Sequence, residues 1–401
     1  MYDLVIRGGQ LVTSDGVISA EIALKNAKIA AIGHNLTAKR TLEASGKLIL
    51  PGGVDIHPHM QLPLPAATSS DTFFTGTRAA ALGGTTSIVD FVHPEPQHNS
   101  LAAALADRRA EADPQLVIDY ALHMAIGPND ITKLAELPAI VAAGCGTFKL
   151  YMAYGLRLSD DQLYQALSAI KSVHGMTVIH AENWEMIGVL QAEALARGNT
   201  EPRWHPRTRP AEFEAQAAAT AITIAAFVDT PLHIFHVSTG QVVEQIRAAR
   251  ARGLAVTGET CPQYLLLNWD VFEVAGVQGA LPVCSPPIRA QHEQDALWQA
   301  VAAGDLQLIS TDHCPFMLVD KAVGYAKDFT QIAGGVPSVE MRLAAIYSRG
   351  VRSGLLSLAQ WVDLCCTRPA KLVGLATKGA LEIGRDADIV IFDPEKEVLL
   401  S

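Results

Sequence analysis

The sequence predicts an α/β protein: a (β/α)8 TIM-type barrel with a small discontinuous β-sandwich domain formed by the two termini. Three observations lead there. Eight apolar strand-like runs alternate with Ala- and Leu-rich helical stretches through the middle of the chain. Both ends are instead made of short β-rich segments separated by Gly, Asn and Asp turns. The polar residues that suit neither core nor surface gather where the middle strands end, which is where barrels carry their chemistry.

Taken in order, residues 1–50 hold the segments DLVIRGG, ISAEIALKNAKIAAIG and GKLIL. After the helical stretch SLAQWVDLCCTRPAKLVGL the chain returns to that style in KGALEIGRDADIVIFDPEKEVLLS. Residues 1–50 and 376–401 are therefore expected to pair into one small β domain beside a barrel of residues 51–375. The barrel strands are expected in VDIHPHM, TSIVDFV, VIDYALHMAI, GTFKLYMAY, MTVIHAEN, PLHIFHVS, LAVTGETCPQYLLL and LQLISTDHCPF. Stretches such as SDTFFTGTRAAALGG and DDQLYQALSAIKSVHG read as the helices between them. An open doubly wound sheet would show the same alternation. The placement of polar residues favours closure, since only a closed ring turns all its strand ends toward one axis.

The 401 residues suffice for a barrel of about 250 residues and an appendage. At 49% hydrophobic and 18% charged, the chain can bury a sizeable core and is not disordered. A net charge of -10 and the lack of any Lys/Arg run exclude a nucleic-acid partner and leave small molecules as ligands. The opening MYDLVIRGGQLV lacks the charged-then-apolar layout of a secretory signal, and no apolar run approaches the roughly 18 residues of a membrane span. No membrane partner and a cytoplasmic location are expected. Cys145, Cys261, Cys284, Cys314, Cys365 and Cys366 form no C-x-x-C pair and read as reduced, buried thiols.

His57 and His59 are one residue apart, so on a strand both would face the same way and could chelate one ion; two satisfied strand histidines are the alternative. Lys149 shares one face of its strand with Thr147 and Tyr151, while Phe148, Leu150 and Met152 share the other. The polar face should look into the barrel, where a bare ammonium would lose its hydration. An ion pair with a buried carboxylate would answer that. Carbamylation by carbon dioxide would answer it differently, converting the amine to an anion whose two oxygens bridge two metals. His180 and His236 each follow apolar strand residues; singly each is a core histidine, together they are ligands for a borderline ion such as zinc. Asp312 ends the eighth strand, where a carboxylate needs a helix cap, a salt bridge or a metal. His123, His205, His313, Glu182 and Glu259 suit supporting hydrogen bonds. Cys314 has no accompanying Cys/His signature of a nucleophile.

With these residues in hand, the chain resembles the cyclic amidohydrolases, and within them the dihydropyrimidinase and hydantoinase group. The resemblance runs along residues 1 to 394 and is carried by PGGVDIHPH, DTFFTGTRAAALGGTTSIVDF, TFKLYMAY, HAEN, HVS, GETCPQYL, SPPIR, STDHCPF, GGVPSVE and GRDADIVIFDP in that order. It implies two zinc ions: His57, His59 and Asp312 on one, His180 and His236 on the other, and carboxylated Lys149 between them. It further implies a hydroxide shared by the metals as nucleophile, Asp312 as proton shuttle, Tyr154 as oxyanion donor and Ser285 in a loop that grips the amide edge of the substrate. The product would be an N-carbamoyl amino acid.

Departures from the pattern fall in the substrate loops. Gln61 stands where dihydroorotase-like members have the arginine of H-x-H-x-R, which argues against an anionic ring. Ala333, Gly334 and Gly335 replace a P-N-G run, leaving the backbone at Gly334 to contact substrate. Leu62, Leu64, Pro65, Leu156 and Leu158 could wall a pocket for a hydrocarbon ring substituent. Allantoin or another cyclic amide is the alternative substrate, and a non-catalytic scaffold the alternative role. The resemblance also implies a homotetramer or dimer, although members of the group usually continue beyond the point corresponding to Ser401.

Overall fold

The computed structural model describes residues 1–397 and 399. The chain opens with seven strands: β1 (Tyr2–Arg7), β2 (Gln10–Thr13), β3 (Gly16–Ile18), β4 (Glu21–Lys25), β5 (Lys28–Gly33), β6 (Ala38–Glu43) and β7 (Leu48–Pro51). With β16 (Ile389–Phe392) they form two four-stranded sheets, ordered β5-β4-β1-β6 and β16-β7-β2-β3. The β4–β5 hairpin turns at Asn26 and Ala27, both at positive φ (52° and 57°), as a tight two-residue turn between right-twisted strands requires.

Ile6, Ile22 and Ile29 of one sheet meet Leu11 and Ile49 of the other, so the sheets pack face to face as a sandwich. The two-residue period of β7 explains the rest: Ile49 turns into the sandwich, while Leu48 and Leu50 join the main core of the chain. As the sequence suggested, the far end of the chain joins the near end, because β16 runs antiparallel to β7. Val398, Leu400 and Ser401 lie outside the described residues.

The barrel strands are β8 (Gly53–Asp55), β9 (Thr85–Val92), β10 (Asp119–Ala125), β11 (Thr147–Tyr151), β12 (Met176–His180), β13 (Leu232–Ile234), β14 (Val256–Thr260) and β15 (Leu308–Ile309). They are parallel and follow one another in sequence order; six fall within the predicted runs, and β8 and β9 start one residue ahead of theirs. Helices connect them, among them Phe73–Leu82, started by the Thr72 side chain accepting from the Thr75 amide, and Asp160–Ser172. Phe148 and Leu150 of β11 face the layer between sheet and helices, whereas Val54, Ile56, Val89, Phe91, Val178, Phe235 and Leu308 plug the interior.

The ring closes beyond the ends of its first and last strands. The His59 amide donates to the His313 carbonyl at 2.7 Å and the His313 amide to the His57 carbonyl at 3.2 Å. The Thr311 hydroxyl donates to Asp55 at 2.6 Å. Deeper in the seam, the fully buried guanidinium of Arg342 donates to the carbonyls of Val54 (2.8 Å) and Ile309 (2.9 Å) and to the Thr85 hydroxyl (3.1 Å). No helix among the described residues is long and apolar enough to cross a membrane. All six cysteines are buried and unpaired.

Candidate active site

A cavity of about 930 Å3 lies where the barrel strands end. It is lined by His57, His59, Lys149, His180, His236 and Asp312, and by Tyr154, Ser285, Gly334, Gln61, Leu64 and Leu156, so the metal-ligand and catalytic candidates singled out from the sequence all reach it. Lys149 and His180 sit on their strands, but His57, His59, His236 and Asp312 lie just past theirs. The chain turns sharply there: His236 and Asp312 have φ of 41° and 50°, and Gln61 and Tyr154 on the same rim have 48° and 66°. Such left-handed backbone is costly for side chains with a Cβ and is retained where a fold holds it in place.

The side chains form two groups. His57 Nε2 and His59 Nε2 each lie 3.3 Å from Asp312 Oδ1, and one ligand atom from each of the three falls within 4.8 Å of the others, so this trio could hold a metal ion. His180 Nδ1 and His236 Nε2 face each other at 2.8 Å. Lys149 is fully buried, with Nζ 4.1 Å from the centre of the Phe235 ring and no carboxylate within ion-pair distance among the described residues. The ion-pair alternative for this lysine is therefore not what the structure contains.

Supporting contacts determine which imidazole nitrogens are free. His57 Nδ1 donates to Glu259 at 2.5 Å, and its ring stacks on Phe235 at 3.9 Å. His59 stacks on Phe91 at 4.4 Å. His180 Nε2 donates to Glu182 at 2.9 Å, and Glu182 also accepts from Arg209 Nη1 at 2.6 Å. The Nδ1 atoms of His59 and His236 are buried without a protein partner. Burial pulls the pKa of His57 and His236 well below the ordinary imidazole value, lowers that of His180, and takes that of His59 to about 3, so all four offer a neutral lone pair. Burial also lowers Lys149 to about 7, against the attraction of Asp312 and Glu259, and pushes Asp312 up to about 7.

Tyr154 faces Ser285 and Arg209, and burial raises its phenol well above the usual range, so it is a proton-bearing donor. Gln61 reaches the cavity, but its side-chain oxygen accepts from the Phe73 amide at 2.9 Å and so starts the helix Phe73–Leu82. Leu62, Leu64, Pro65 and Leu156 line the cavity; Leu158 does not, because it is buried in the main core. The residues read as supporting bear that out: His123 bonds Thr147 and the Ile56 carbonyl, His205 the Cys284 carbonyl, and His313 the Ser338 amide and Asp71.

Sequence reasoning passed over Arg209, Phe91 and Phe235, which position the imidazoles, and His93, whose Nε2 lies 2.8 Å from the Tyr151 hydroxyl on the cavity wall. A buried aromatic between two strand ends has no local signature. Arg209 is the second of two arginines in HPRTRP, and nothing in that spacing tells the buried one from its exposed neighbour Arg207.

The amidohydrolase family profile matches residues 211–400. The D-hydantoinase of Streptomyces coelicolor is 40% identical over 99% of this chain and 87% of its own length. The D-hydantoinase of Geobacillus stearothermophilus is 38% identical over 99% of this chain and 85% of its own. The crystal structure of the dihydropyrimidinase from Brevibacillus agri superposes with a TM-score of 0.95 at 41% identity, covering 98% of this chain and 86% of that one. Family membership brings metal dependence, in keeping with the His57, His59 and Asp312 cluster. The chain belongs to the amidohydrolase family, in its hydantoinase and dihydropyrimidinase group.

Proposed function

We propose that the chain hydrolyses the ring amide of a 5-substituted hydantoin or a dihydropyrimidine, with the D-selectivity named in its relatives, giving an N-carbamoyl amino acid. The observation that carries this reading is the meeting of the His57, His59 and Asp312 trio, the His180 and His236 pair and an unpaired Lys149 in one cavity.

The residues suit two divalent ions. Ligands about 2.0 Å from a tetrahedral zinc lie about 3.3 Å apart, the spacing seen between Asp312 and each of its two imidazole neighbours. Glu259 and Glu182 take the opposite nitrogens of His57 and His180, as carboxylates behind metal-bound histidines do. His57, His59 and Asp312 would hold the first ion and His180 and His236 the second. Lys149, as its carbon dioxide adduct, would supply an oxygen to each. The ions would supply an activated water at neutral pH and polarise the ring carbonyl.

The chain's own side chains do the remainder. Asp312 accepts the proton of the attacking water and returns it to the departing ring nitrogen. Tyr154 donates to the carbonyl oxygen as it becomes an oxyanion. Ser285 and the backbone at Gly334 hold the amide edge of the ring, and Leu64 and Leu156 pack against its substituent. In the same reading the barrel spans residues 51–375 and the β domain residues 1–50 plus 376–401, and the enzyme is a cytoplasmic homo-oligomer.

The test is turnover by the purified, metal-analysed protein of dihydrouracil, 5-substituted hydantoins, allantoin and dihydroorotate. Ring opening of a hydantoin or dihydrouracil is expected. Turnover of allantoin alone would move the substrate within the group, and inactivity on all four with about two metals bound per chain would refute the reading.

A further inference from the structure

Lys321 is a buried cation outside the site just described. It lies in the helix Leu318–Tyr325, is 2% exposed and has no carboxylate partner among the described residues. Its Nζ donates to the carbonyls of Val283 at 3.0 Å and Gly335 at 2.8 Å. The Gly335 amide also donates to the Val283 carbonyl at 2.9 Å. The two backbone segments are thus bound to each other and to one ammonium.

These segments carry the groups that face the cavity: Ser285 lies two residues past Val283, and Gly334 directly precedes Gly335. There is little slack in the arrangement. Gly335 has φ of 153°, and a Cβ there would come 2.2 Å from the Cys314 carbonyl oxygen, so this strip is pressed against the segment that follows Asp312. An ammonium with no counter-ion is an expensive way to fill a core position that methionine would fill at once. What the ammonium adds is a fixed distance between two carbonyls.

We propose that Lys321 is a positioning residue for substrate capture: by holding the Val283 and Gly335 carbonyls it sets the gap between Ser285 and Gly334 across which the ring amide is held. The proposal rests on the cyclic-amide reading of the site. It separates binding from chemistry, since Lys321 touches neither the histidine groups nor Asp312.

Burial lowers the Lys321 pKa to about 8. The titratable groups around it are the thiols of Cys284 and Cys314, both pushed up by burial, the imidazole of His205, pulled down to about 3 by burial, and Asp320 on its own helix, which accepts from the Met317 amide. Between neutral and moderately alkaline pH, the ammonium is the member of this group that changes charge.

The experiment is steady-state kinetics of wild type and Lys321→Met, both with metal content measured, on a cyclic amide that wild type opens, at about pH 7 and about pH 9.5. At neutral pH the variant should show a KM raised about tenfold, with kcat within about twofold and unchanged metal. At alkaline pH the wild-type KM should rise toward that of the variant and the difference should narrow, since the neutral amine donates more weakly to the two carbonyls. An unchanged KM in the variant, or a tenfold difference that persists at alkaline pH, overturns the proposal while leaving the enzyme reading intact. Should the variant not fold, the wild-type profile decides alone, because a KM constant across the two pH values overturns it. A wild type that opens no cyclic amide overturns both readings.

Discussion

Arg289→Met breaks a buried network from one side. Arg289 Nη2 lies 2.8 Å from Glu214 Oε2, with side chains 4% and 3% exposed. The same guanidinium donates to the Ser238 hydroxyl and to the Arg209 carbonyl, both at 2.8 Å, and Glu214 accepts from the Ser238 amide at 2.9 Å. The network therefore ties the segment just past His236 to the helix Ala211–Val228 and to the turn carrying Arg209. Methionine fills much of the same volume but strands the Glu214 carboxylate, at a cost of about 3–5 kcal/mol. The orphaned Arg209 carbonyl adds about 1 kcal/mol. A total of about 4–6 kcal/mol is expected in urea unfolding at neutral pH, and adding Glu214→Gln should recover about 2 kcal/mol by removing the stranded charge. Burial already holds the Glu214 pKa above its ordinary value, and loss of Arg289 raises it further. A carboxyl whose folded pKa exceeds its unfolded one destabilises most at high pH and ceases to do so below the unfolded value. The deficit should therefore shrink as pH falls from about 7 toward about 4. A deficit under about 1 kcal/mol at neutral pH, or one that does not shrink in acid, would refute the reasoning.

The other predictions concern the cavity. Lys149→Ala should lose metal and turnover together, with partial recovery in added short carboxylic acids; full activity and normal metal content would rule out a bridging role. Asp312→Asn should keep its circular dichroism spectrum while kcat falls by about 10²–10⁴, and unchanged turnover would remove it as proton carrier. Tyr154→Phe should lower kcat by about 10²–10³ with little change in metal content, measured by single-turnover kinetics; a change confined to KM would assign Tyr154 to substrate binding instead.

The alternation of strands and helices exposed the barrel because every strand is buried on both faces and every helix on one, which writes the layers into the sequence. The terminal sandwich was legible for a similar reason: β7 and β16 are apolar at consecutive positions because β7 packs against the sandwich on one face and the barrel on the other. The histidines, Lys149 and Asp312 stood out as polar groups gathered where the predicted strands end. Leu158 misled because a leucine near the rim suits a wall and a core equally, and only its packing in the main core distinguishes them. Gln61 offered a polar tip without showing that the Phe73 amide would claim it. Arg209, Arg342 and Lys321 escaped notice because their partners are backbone carbonyls or a distant carboxylate, and such partners leave no spacing to read.

The seam between β8 and β15 has a bearing on how the molecule comes together. The backbone that zips the first strand to the last passes through His57, His59 and His313, so the chain cannot complete its circle without bringing Asp312 beside the two imidazoles. A nascent polypeptide still lacking the eighth strand would be an unclosed sheet with two histidines and no third ligand for them. In the two-ion reading proposed above, affinity for the first cation would report that synthesis and assembly of the circle are finished, and a protein cut anywhere between these halves would keep its grip on that cation only while the pieces stay together.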